Sequence, residues 1–116
     1  KIIVTGATGF IGTNLVISLL KNKKITKLIL IDNFKSSSKK NLEIIKKYDK
    51  NKIISFIKIS IISEKIKSKL IFKQHFDLII HLAAQSSGEN SFYEPKYDIN
   101  TNIIGTINFL IINSNS

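Results

Sequence analysis

The chain has 116 residues, of which 43% are hydrophobic, and its formal net charge is +10 at pH 7. This length is enough to bury one core, so we expect a single domain. The chain has no cysteine, which excludes disulfides, thiolate metal ligands and a cysteine nucleophile. No apolar run approaches the roughly 18 residues of a membrane span, and residues 1–4 lack the zones of a signal peptide. We therefore expect a cytoplasmic protein with no membrane partner.

The positive charge raises the question of nucleic-acid binding. All 18 basic residues are lysines, and isoleucine and asparagine are also abundant, with 25 and 11 residues. These three amino acids have AT-rich codons, so a biased genome can produce this composition without selection for a basic surface. Surfaces that read phosphates or bases usually contain arginine, because its planar group bonds bidentately. The composition therefore predicts no nucleic-acid partner.

Hydrophobic periodicity divides the chain into alternating strands and helices. Continuous apolar runs predict strands at residues 2–4, 28–31, 53–59 and 78–82. Helical spacing predicts helices at residues 10–22, around Leu42, Ile45 and Tyr48, at 64–73, and from Pro95 to about 113. A loop rich in Gly, Ser and Asn is expected between the fourth strand and Pro95.

This order of elements predicts an α/β fold with a parallel sheet. Right-handed crossovers give the strand order 3-2-1-4 of a doubly wound, Rossmann-type fold. Such folds contain at least five or six strands, so we expect residues 1–116 to be an incomplete domain from the N-terminal part of a larger protein. The fourth strand is apolar on both faces, which is typical of an interior strand.

A glycine-rich segment joins the first predicted strand to the first predicted helix. Gly6 permits a tight turn, Gly9 lets the backbone approach a pyrophosphate, and Gly12 allows close packing of the helix. The helix N-terminus offers free N–H groups and a partial positive charge. The spacing G-x-x-G-x-x-G departs from the commoner G-x-G-x-x-G, so the turn by itself is weak support for a phosphate site.

Asp32 strengthens the prediction of a dinucleotide site. It ends the second strand, 20 residues after Gly12, where a carboxylate would bond the hydroxyls of an adenosine ribose. Its charge would repel a 2′-phosphate and so favours NAD over NADP, although Lys35 nearby could accept that phosphate. Alternatively, Asp32 is only a turn residue at the end of a strand.

Four motifs resemble those of a known family: TGATGFIG at 5–12, IDNF at 31–34, HLAAQ at 81–85 and NIIGT at 102–106. They resemble the NAD-dependent epimerase/dehydratase family of extended short-chain dehydrogenase/reductases, over essentially all 116 residues. The resemblance implies NAD as the cofactor, a nucleotide-sugar substrate and a homodimer in the complete protein.

The resemblance also implies a set of cofactor-binding residues. Family members usually carry an aspartate at the position of Ser60, so a shorter and neutral contact to adenine is expected here. Phe10 and Ile11 are expected to meet the pyrophosphate through their backbone, with their side chains in the core. The full set is Gly6, Gly9, Phe10, Ile11, Gly12, Asp32, Asn33, Phe34, Lys35, Ser36, Ser60, Ile61, Leu82, Ala83, Ala84, Gln85, Ser86, Thr101 and Asn102.

Two polar residues, His81 and the set member Asn102, also have structural explanations. His81, at the end of a buried strand, is more often a hydrogen-bonded core histidine than a catalytic base. Asn102, on the following helix, is expected to tie down the loop after the fourth strand, which is a structural role as well.

No catalytic or metal-binding residue is predicted within the chain. Family chemistry uses a Tyr-x-x-x-Lys pair that follows the fifth strand in relatives. Tyr48 and Lys52 have this spacing, but they lie between the second and third predicted strands, away from any nicotinamide. The resemblance favours a UDP-sugar 4-epimerase; a 4,6-dehydratase, a decarboxylase and a non-catalytic NAD-binding module are the alternatives.

Overall fold

The computed structural model describes residues 1–66 and 74–114, and its four strands form one parallel sheet. The strands are β1 (Ile2–Thr5), β2 (Leu28–Asp32), β3 (Ile54–Lys58) and β4 (Leu78–His81). They lie in the order 3-2-1-4, with Ile3 of β1 opposite Ile29 of β2 and Ile79 of β4. The predicted strands, their parallel pairing and their order are confirmed.

Side chains that alternate along the strands supply two cores, one on each face of the sheet. On one face, Ile3 and Ile31 pack with residues that include Ile61 and Phe109. On the other face, Val4, Leu28 and Leu30 pack with residues that include Val16 and Ile45 from the helices. This two-sided burial explains why β1 and β2 are apolar without interruption.

Within the described residues, five α-helices accompany the sheet: α1 (Phe10–Leu20), α2 (Lys39–Tyr48), α3 (Gly88–Tyr93), α4 (Pro95–Ile99) and α5 (Gly105–Ser114). A π-helical turn, Asn100–Ile104, joins α4 to α5 in one continuous helical segment. The predicted helix at 64–73 extends into residues 67–73, which lie outside the described part of the chain.

Helix α3 lies where the sequence predicted a loop. The side chain of Ser87 accepts a hydrogen bond from the Asn90 N–H and caps the helix, and Glu89 in the first turn complements the helix dipole. These capping signals were present in the sequence, but the helix has only six residues and no buried side chain. It therefore lacks the apolar periodicity on which the prediction relied.

The first residues of α1 correct another prediction. Phe10 and Ile11 were expected to pack in the core, yet their side chains are 85% and 67% exposed. The helix begins at the mouth of a cleft, so residues of its first turn face solvent. Only from the second half of this turn does α1 contribute buried residues, beginning with Gly12 and Thr13.

Candidate cofactor site

A cleft with a volume of about 450 Å³ opens at the end of the sheet where β1, β2 and β4 end. The chain crosses from β1 to β2 on one side and returns to β4 on the other, so the cleft lies at the topological switch point, where open α/β sheets bind ligands. The lining residues are Gly6, Gly9, Phe10, Ile11, Gly12, Ile31, Asp32, Asn33, Lys35, Ser36, Ser37, Ile59, Ser60, Ile61, Leu82, Ala83, Ala84, Ser86, Tyr97 and Thr101.

The three glycines of the turn after β1 have different roles. Gly6 has a φ of +65°, and a Cβ there would lie 2.7 Å from the Ala83 nitrogen. At Gly12 a Cβ would lie 2.2 Å from the Gly6 oxygen. At Gly9 a Cβ would meet only the Gly6 oxygen, at an ordinary 3.4 Å. Gly6 and Gly12 are therefore required by protein packing, whereas Gly9 leaves open space on the side of the cleft.

The N-terminus of α1 is available to an anion. Gly9 is the N-cap, no side chain caps the helix, and the first turn contains no acidic residue. The first N–H groups of a helix have no partner within the helix, and they carry the positive end of its dipole. The Gly9 N–H itself donates to the Gly6 carbonyl at 3.2 Å, so the open space at Gly9 lies beside the helix donors that begin at Phe10, as a phosphate group requires.

Asp32 lies beside this turn, 9% exposed, and its carboxylate accepts three hydrogen bonds. The donors are the Thr8 N–H at 3.0 Å, the Phe34 N–H at 2.9 Å and the Ser37 hydroxyl at 3.1 Å. A carboxylate has about four acceptor positions, so one remains for a ligand hydroxyl. Asp32 is therefore both a turn residue and a free acceptor in the cleft, which combines the two interpretations of the sequence.

Ser37 and Asn41 belong to the same hydrogen-bond network, although neither was among the predicted cofactor-binding residues. The Ser37 hydroxyl lies 2.7 Å from that of Thr8, and the Asn41 amide donates to the Thr8 carbonyl at 2.8 Å. These bonds join the glycine turn to the beginning of α2. Ser38, the N-cap of α2, was the available signal, because it places Ser37 just before the helix and Asn41 in its first turn.

The end of β4 is connected to β1 and α5 by a directed chain of hydrogen bonds. Thr5 Oγ1 accepts from the N–H groups of Leu82 and Ala83, both at 3.1 Å, so its own proton is donated to His81 Nδ1 at 2.7 Å. His81 Nε2 then donates to Thr106 Oγ1 at 3.1 Å, and that hydroxyl donates to the Asn102 carbonyl at 2.7 Å.

This chain requires a neutral His81 with its proton on Nε2. Burial lowers the pKa of His81 from its usual 6.5, because the charged imidazolium would lose solvation. The prediction of a hydrogen-bonded structural histidine is confirmed. It orients the loop below the cleft rather than facing the cleft itself.

The loop after β4 is held by a second set of bonds. The Asn102 side chain accepts from the Gln85 N–H at 2.8 Å and donates to the Gln85 carbonyl at 3.0 Å. Asp98 accepts from both side-chain amides, at 3.0 Å from Gln85 and 3.2 Å from Asn102. Asn102 therefore ties the loop to the helix as predicted.

The π-helical turn determines which side chains reach the cleft. It inserts extra backbone at Asn100–Ile104, and within it Thr101 is buried and lines the cleft while Asn102 reaches Gln85. Such turns are frequent at functional sites because they redirect side chains within a helix. Periodicity at 3.6 residues per turn could not predict this arrangement.

Ser60 and Ile61, which follow β3, form the wall of the cleft on the β3 side of the sheet. A Cβ on Gly105 would lie 2.5 Å from the end of the Ile61 side chain, so α5 packs closely against it. The Asn108 amide donates to the Ile61 carbonyl at 2.8 Å. Contacts with α5 thus hold this segment in place, and the polar residue Ser60 lines the cleft.

The cleft contains 16 of the 19 residues predicted to bind a cofactor. Gln85 and Asn102 lie behind it, in the bonds described above. Phe34 also lies outside the lining, because its backbone has a φ of 58° and its ring packs 5.2 Å from that of Phe56. Tyr97 and Ser37 line the cleft without having been predicted.

Tyr48 and Lys52 lie near the amino ends of the strands, at the end of the sheet opposite the cleft. Tyr48 is the last residue of α2, and Lys52 lies in the turn that leads into the amino end of β3. Neither lines the cleft, so their Tyr-x-x-x-Lys spacing does not bring them to the candidate cofactor site.

The doubly wound sheet, the glycine turn and the carboxylate at the end of β2 together define a Rossmann-type dinucleotide-binding fold. A family model described as GDP-mannose 4,6 dehydratase matches residues 3–115, and the chain belongs to this family. The resemblance found in the four motifs is confirmed.

Individual relatives carry several activities. UDP-glucuronic acid decarboxylase 6 of Arabidopsis thaliana is 36% identical over 110 residues, which are 95% of this chain and 29% of that protein. The crystal structure of UDP-glucose 4-epimerase from Thermotoga maritima with UDP-glucose has a TM-score of 0.80 and 34% identity, over 96% of this chain and 33% of that chain. UDP-glucose 4-epimerase from Bifidobacterium longum in complex with NAD+ and UDP has a TM-score of 0.81 and 26% identity, over 96% and 32%. The chain spans about a third of each.

Within residues 1–66 and 74–114, no helix has both the length and the apolar character needed to cross a bilayer. The same residues contain no group of three or more His, Asp or Glu side chains that could hold a metal ion.

Proposed function

We propose that the chain is the NAD-binding part of an enzyme that acts on nucleotide sugars. The observation that supports this most directly is the cleft itself, which combines backbone donors, a carboxylate and a small-residue loop at a topological switch point. The groups of a dinucleotide each find a suitable surface there.

The phosphates would lie at Gly9 and the N-terminus of α1, where donors and space coincide. The adenosine ribose would donate a hydroxyl to the remaining acceptor position of Asp32. Ser60 and Ile61 would lie beside the adenine, with Ser60 offering a shorter and neutral contact. Ala83 and Ala84, which have small side chains, would let the nicotinamide ribose approach the backbone.

NAD is favoured over NADP by the position of Asp32. Its carboxylate is 9% exposed and lies in the cleft, where a 2′-phosphate would meet a like charge. Lys35 also lines the cleft, but its ammonium group lies 3.3 Å from the centre of the Tyr97 ring. The Tyr97 ring thus draws the ammonium group towards α4, so the Asp32 carboxylate decides the preference at the ribose site.

A UDP-sugar 4-epimerase is the activity we favour, because segment 32–37 and residues 41–43 most resemble such enzymes. When bound, NAD would accept a hydride from C4 of the sugar and return it to the other face. The described residues would bind and orient the dinucleotide for this step. The proton-transfer residues would belong to a part of the protein outside residues 1–116, because no Tyr-x-x-x-Lys pair lines the described cleft.

Three alternatives stay open. A 4,6-dehydratase or a decarboxylase is supported by the family name and the Arabidopsis thaliana relative, respectively. A non-catalytic NAD-binding module is supported by the lack of a catalytic pair in the described cleft. The cytoplasmic location and the homodimer stay predictions.

Calorimetry on the complete protein tests the cofactor assignment. NAD should bind more tightly than NADP, and Asp32→Ala should weaken NAD by about 1.5–3 kcal/mol, because hydrogen bonds to a charged acceptor are lost. NADP should lose less affinity. Asp32→Asn, which keeps the shape of the side chain, separates the loss of charge from damage to the turn. Tighter binding of NADP by the wild type would contradict the proposal.

The substrate is tested by turnover. The complete protein should interconvert UDP-glucose and UDP-galactose with bound NAD. Loss of carbon dioxide from UDP-glucuronate, or formation of a 4-keto-6-deoxy sugar, would favour the decarboxylase or the dehydratase. Binding of NAD without any of these reactions would favour the module.

A further inference from the structure

An aromatic contact crosses the mouth of the cleft. Lys35 follows β2, and Tyr97 belongs to α4, which follows β4. The Lys35 ammonium nitrogen lies 3.3 Å from the centre of the Tyr97 ring, and both residues line the cleft. In the strand order 3-2-1-4, β2 and β4 lie on opposite sides of β1. The contact therefore joins the two sides of the cleft above the glycine turn that ends β1.

Both partners are attached to well-held backbone. The Lys35 N–H donates to the Asn33 side chain at 2.9 Å, and the preceding N–H of Phe34 donates to Asp32. Tyr97 immediately precedes Asp98, whose carboxylate accepts from Gln85 and Asn102. The contact thus links the segment that holds Asp32 to the segment that holds the loop after β4.

The charge of Lys35 is distinctive within the cleft. It is the one cationic side chain among the described lining residues, and Asp32 is the one anionic side chain among them. The glycine turn itself offers only backbone donors, so a bound pyrophosphate would find its positively charged side-chain partner in Lys35. A cation over an aromatic face keeps donor hydrogens free for an anion, because the ring occupies only one side of the ammonium group.

We propose that Lys35 and Tyr97 form a strap across the cleft that retains a bound dinucleotide, with Lys35 pairing with its phosphates. This rests on the proposed NAD-binding function. The strap opens when the dinucleotide enters and closes above it. Tyr97 is a positioning residue, because it holds the Lys35 ammonium group at the mouth. Because Lys35 mainly retains a dinucleotide that is already bound, the strap lowers the dissociation rate of the dinucleotide more than it changes the association rate.

The test measures NAD dissociation from the complete protein by stopped flow. Lys35→Gln and Tyr97→Leu should each raise the dissociation rate constant by about threefold to tenfold, the range expected for a cation–π contact and its charge pairing. The double variant should dissociate no faster than the faster single variant, because both changes open the same strap. Tyr97→Phe keeps the ring and should dissociate at least threefold more slowly than Tyr97→Leu.

Lys39→Gln is the matched control. It removes the same charge from the exposed beginning of α2, outside the cleft lining, and it should leave the dissociation rate unchanged. Added salt should narrow the difference between wild type and Lys35→Gln, since ions screen the pairing with phosphate.

The outcomes distinguish the strap from the function on which it rests. Unchanged dissociation in Tyr97→Leu, or strictly additive effects in the double variant, would overturn the strap while NAD binding stands. A wild type that does not bind NAD would overturn both. In the free protein, the Lys35 ε-methylene NMR signals should be shifted upfield by the Tyr97 ring, and a shift that persists in Tyr97→Leu would overturn the contact itself.

Discussion

His81 shows how one side chain can organise a binding loop without touching the ligand. Its two ring nitrogens bond Thr5 and Thr106, which belong to β1 and α5. Because Thr5 also accepts from the N–H groups of Leu82 and Ala83, the ring fixes the direction of every bond in the chain. The loop below the cleft is therefore oriented from the core side.

This arrangement predicts a loss of stability at acidic pH. Burial lowers the pKa of His81 in the folded protein, so the unfolded chain binds a proton that the folded chain rejects. The free energy of unfolding should then fall as the pH drops below about 6.5, by at most about 1.4 kcal/mol per pH unit for one proton. Urea unfolding of the complete protein between about pH 7.5 and pH 5 measures the slope.

The comparison variant is His81→Gln, which cannot titrate and should show a shallower slope over this range. His75→Gln serves as a control, because this second histidine has a side chain that is 75% exposed. Equal slopes for wild type and His81→Gln would show that the histidine does not carry the effect.

At the scale of elements, the turn between β1 and α1 divides its glycines between folding and binding. Gly12 brings α1 against the turn, since its missing Cβ would lie 2.2 Å from a backbone oxygen. Gly9 has extended backbone angles, with φ −70° and ψ 179°, that other residues can adopt. A substitution at Gly9 should therefore leave the fold intact and fill the cleft.

We predict that Gly9→Val weakens NAD binding by more than tenfold, or about 1.4 kcal/mol, because its side chain blocks the approach of the pyrophosphate. Calorimetry gives the affinity, and thermal unfolding should show a nearly unchanged midpoint. Gly12→Ala should instead lower the stability, since backbone atoms must shift.

Gly88→Val is the matched control for this prediction. A Cβ on Gly88, at the beginning of α3, meets no atom within 4 Å, and Gly88 does not line the cleft. It should change neither NAD affinity nor the melting midpoint by much. Wild-type affinity in Gly9→Val would rule out the phosphate site at this turn.

At the scale of the whole molecule, one side of the described structure is left apolar. Within the described sheet, β4 pairs with β1 alone, and Leu78 on this edge is 48% exposed. The continuous helical segment from α4 to α5 exposes an apolar stripe: Ile99, Ile103, Ile107, Leu110 and Ile111. A free edge and an apolar stripe together favour association between chains.

We therefore predict that the 116-residue polypeptide, expressed by itself, self-associates and is marginally stable. Sedimentation velocity should show mass that increases with concentration, and the polypeptide should show no epimerase turnover. Leu110→Lys, at a residue that is 65% exposed, should reduce association without a loss of stability. Gly88→Val changes a surface outside the stripe and should not reduce it. A monomer with a cooperative melt at high temperature would contradict the prediction.

The sequence determined the strands and their order, because these follow from apolar runs and right-handed crossovers. Most residues of the cleft were implied by the resemblance to a known family. Continuous apolar runs such as residues 28–31 follow from burial on both faces, and the positions of Gly6, Gly9 and Asp32 follow from a turn at a strand end. The short helix α3 was not predictable in this way, since it buries no side chain.

Only the tertiary structure decided which residues come together from distant parts of the chain. The contact between Lys35 and Tyr97 joins residues 62 positions apart, and no spacing rule relates them. The exposure of Phe10 and the placement of Thr101 depend on where a helix begins and on a π-helical turn. The separate roles of the glycines were predicted, but only the structure identified the atoms that a Cβ would meet at Gly6 and Gly12, because packing between elements carries no periodic signal in the sequence.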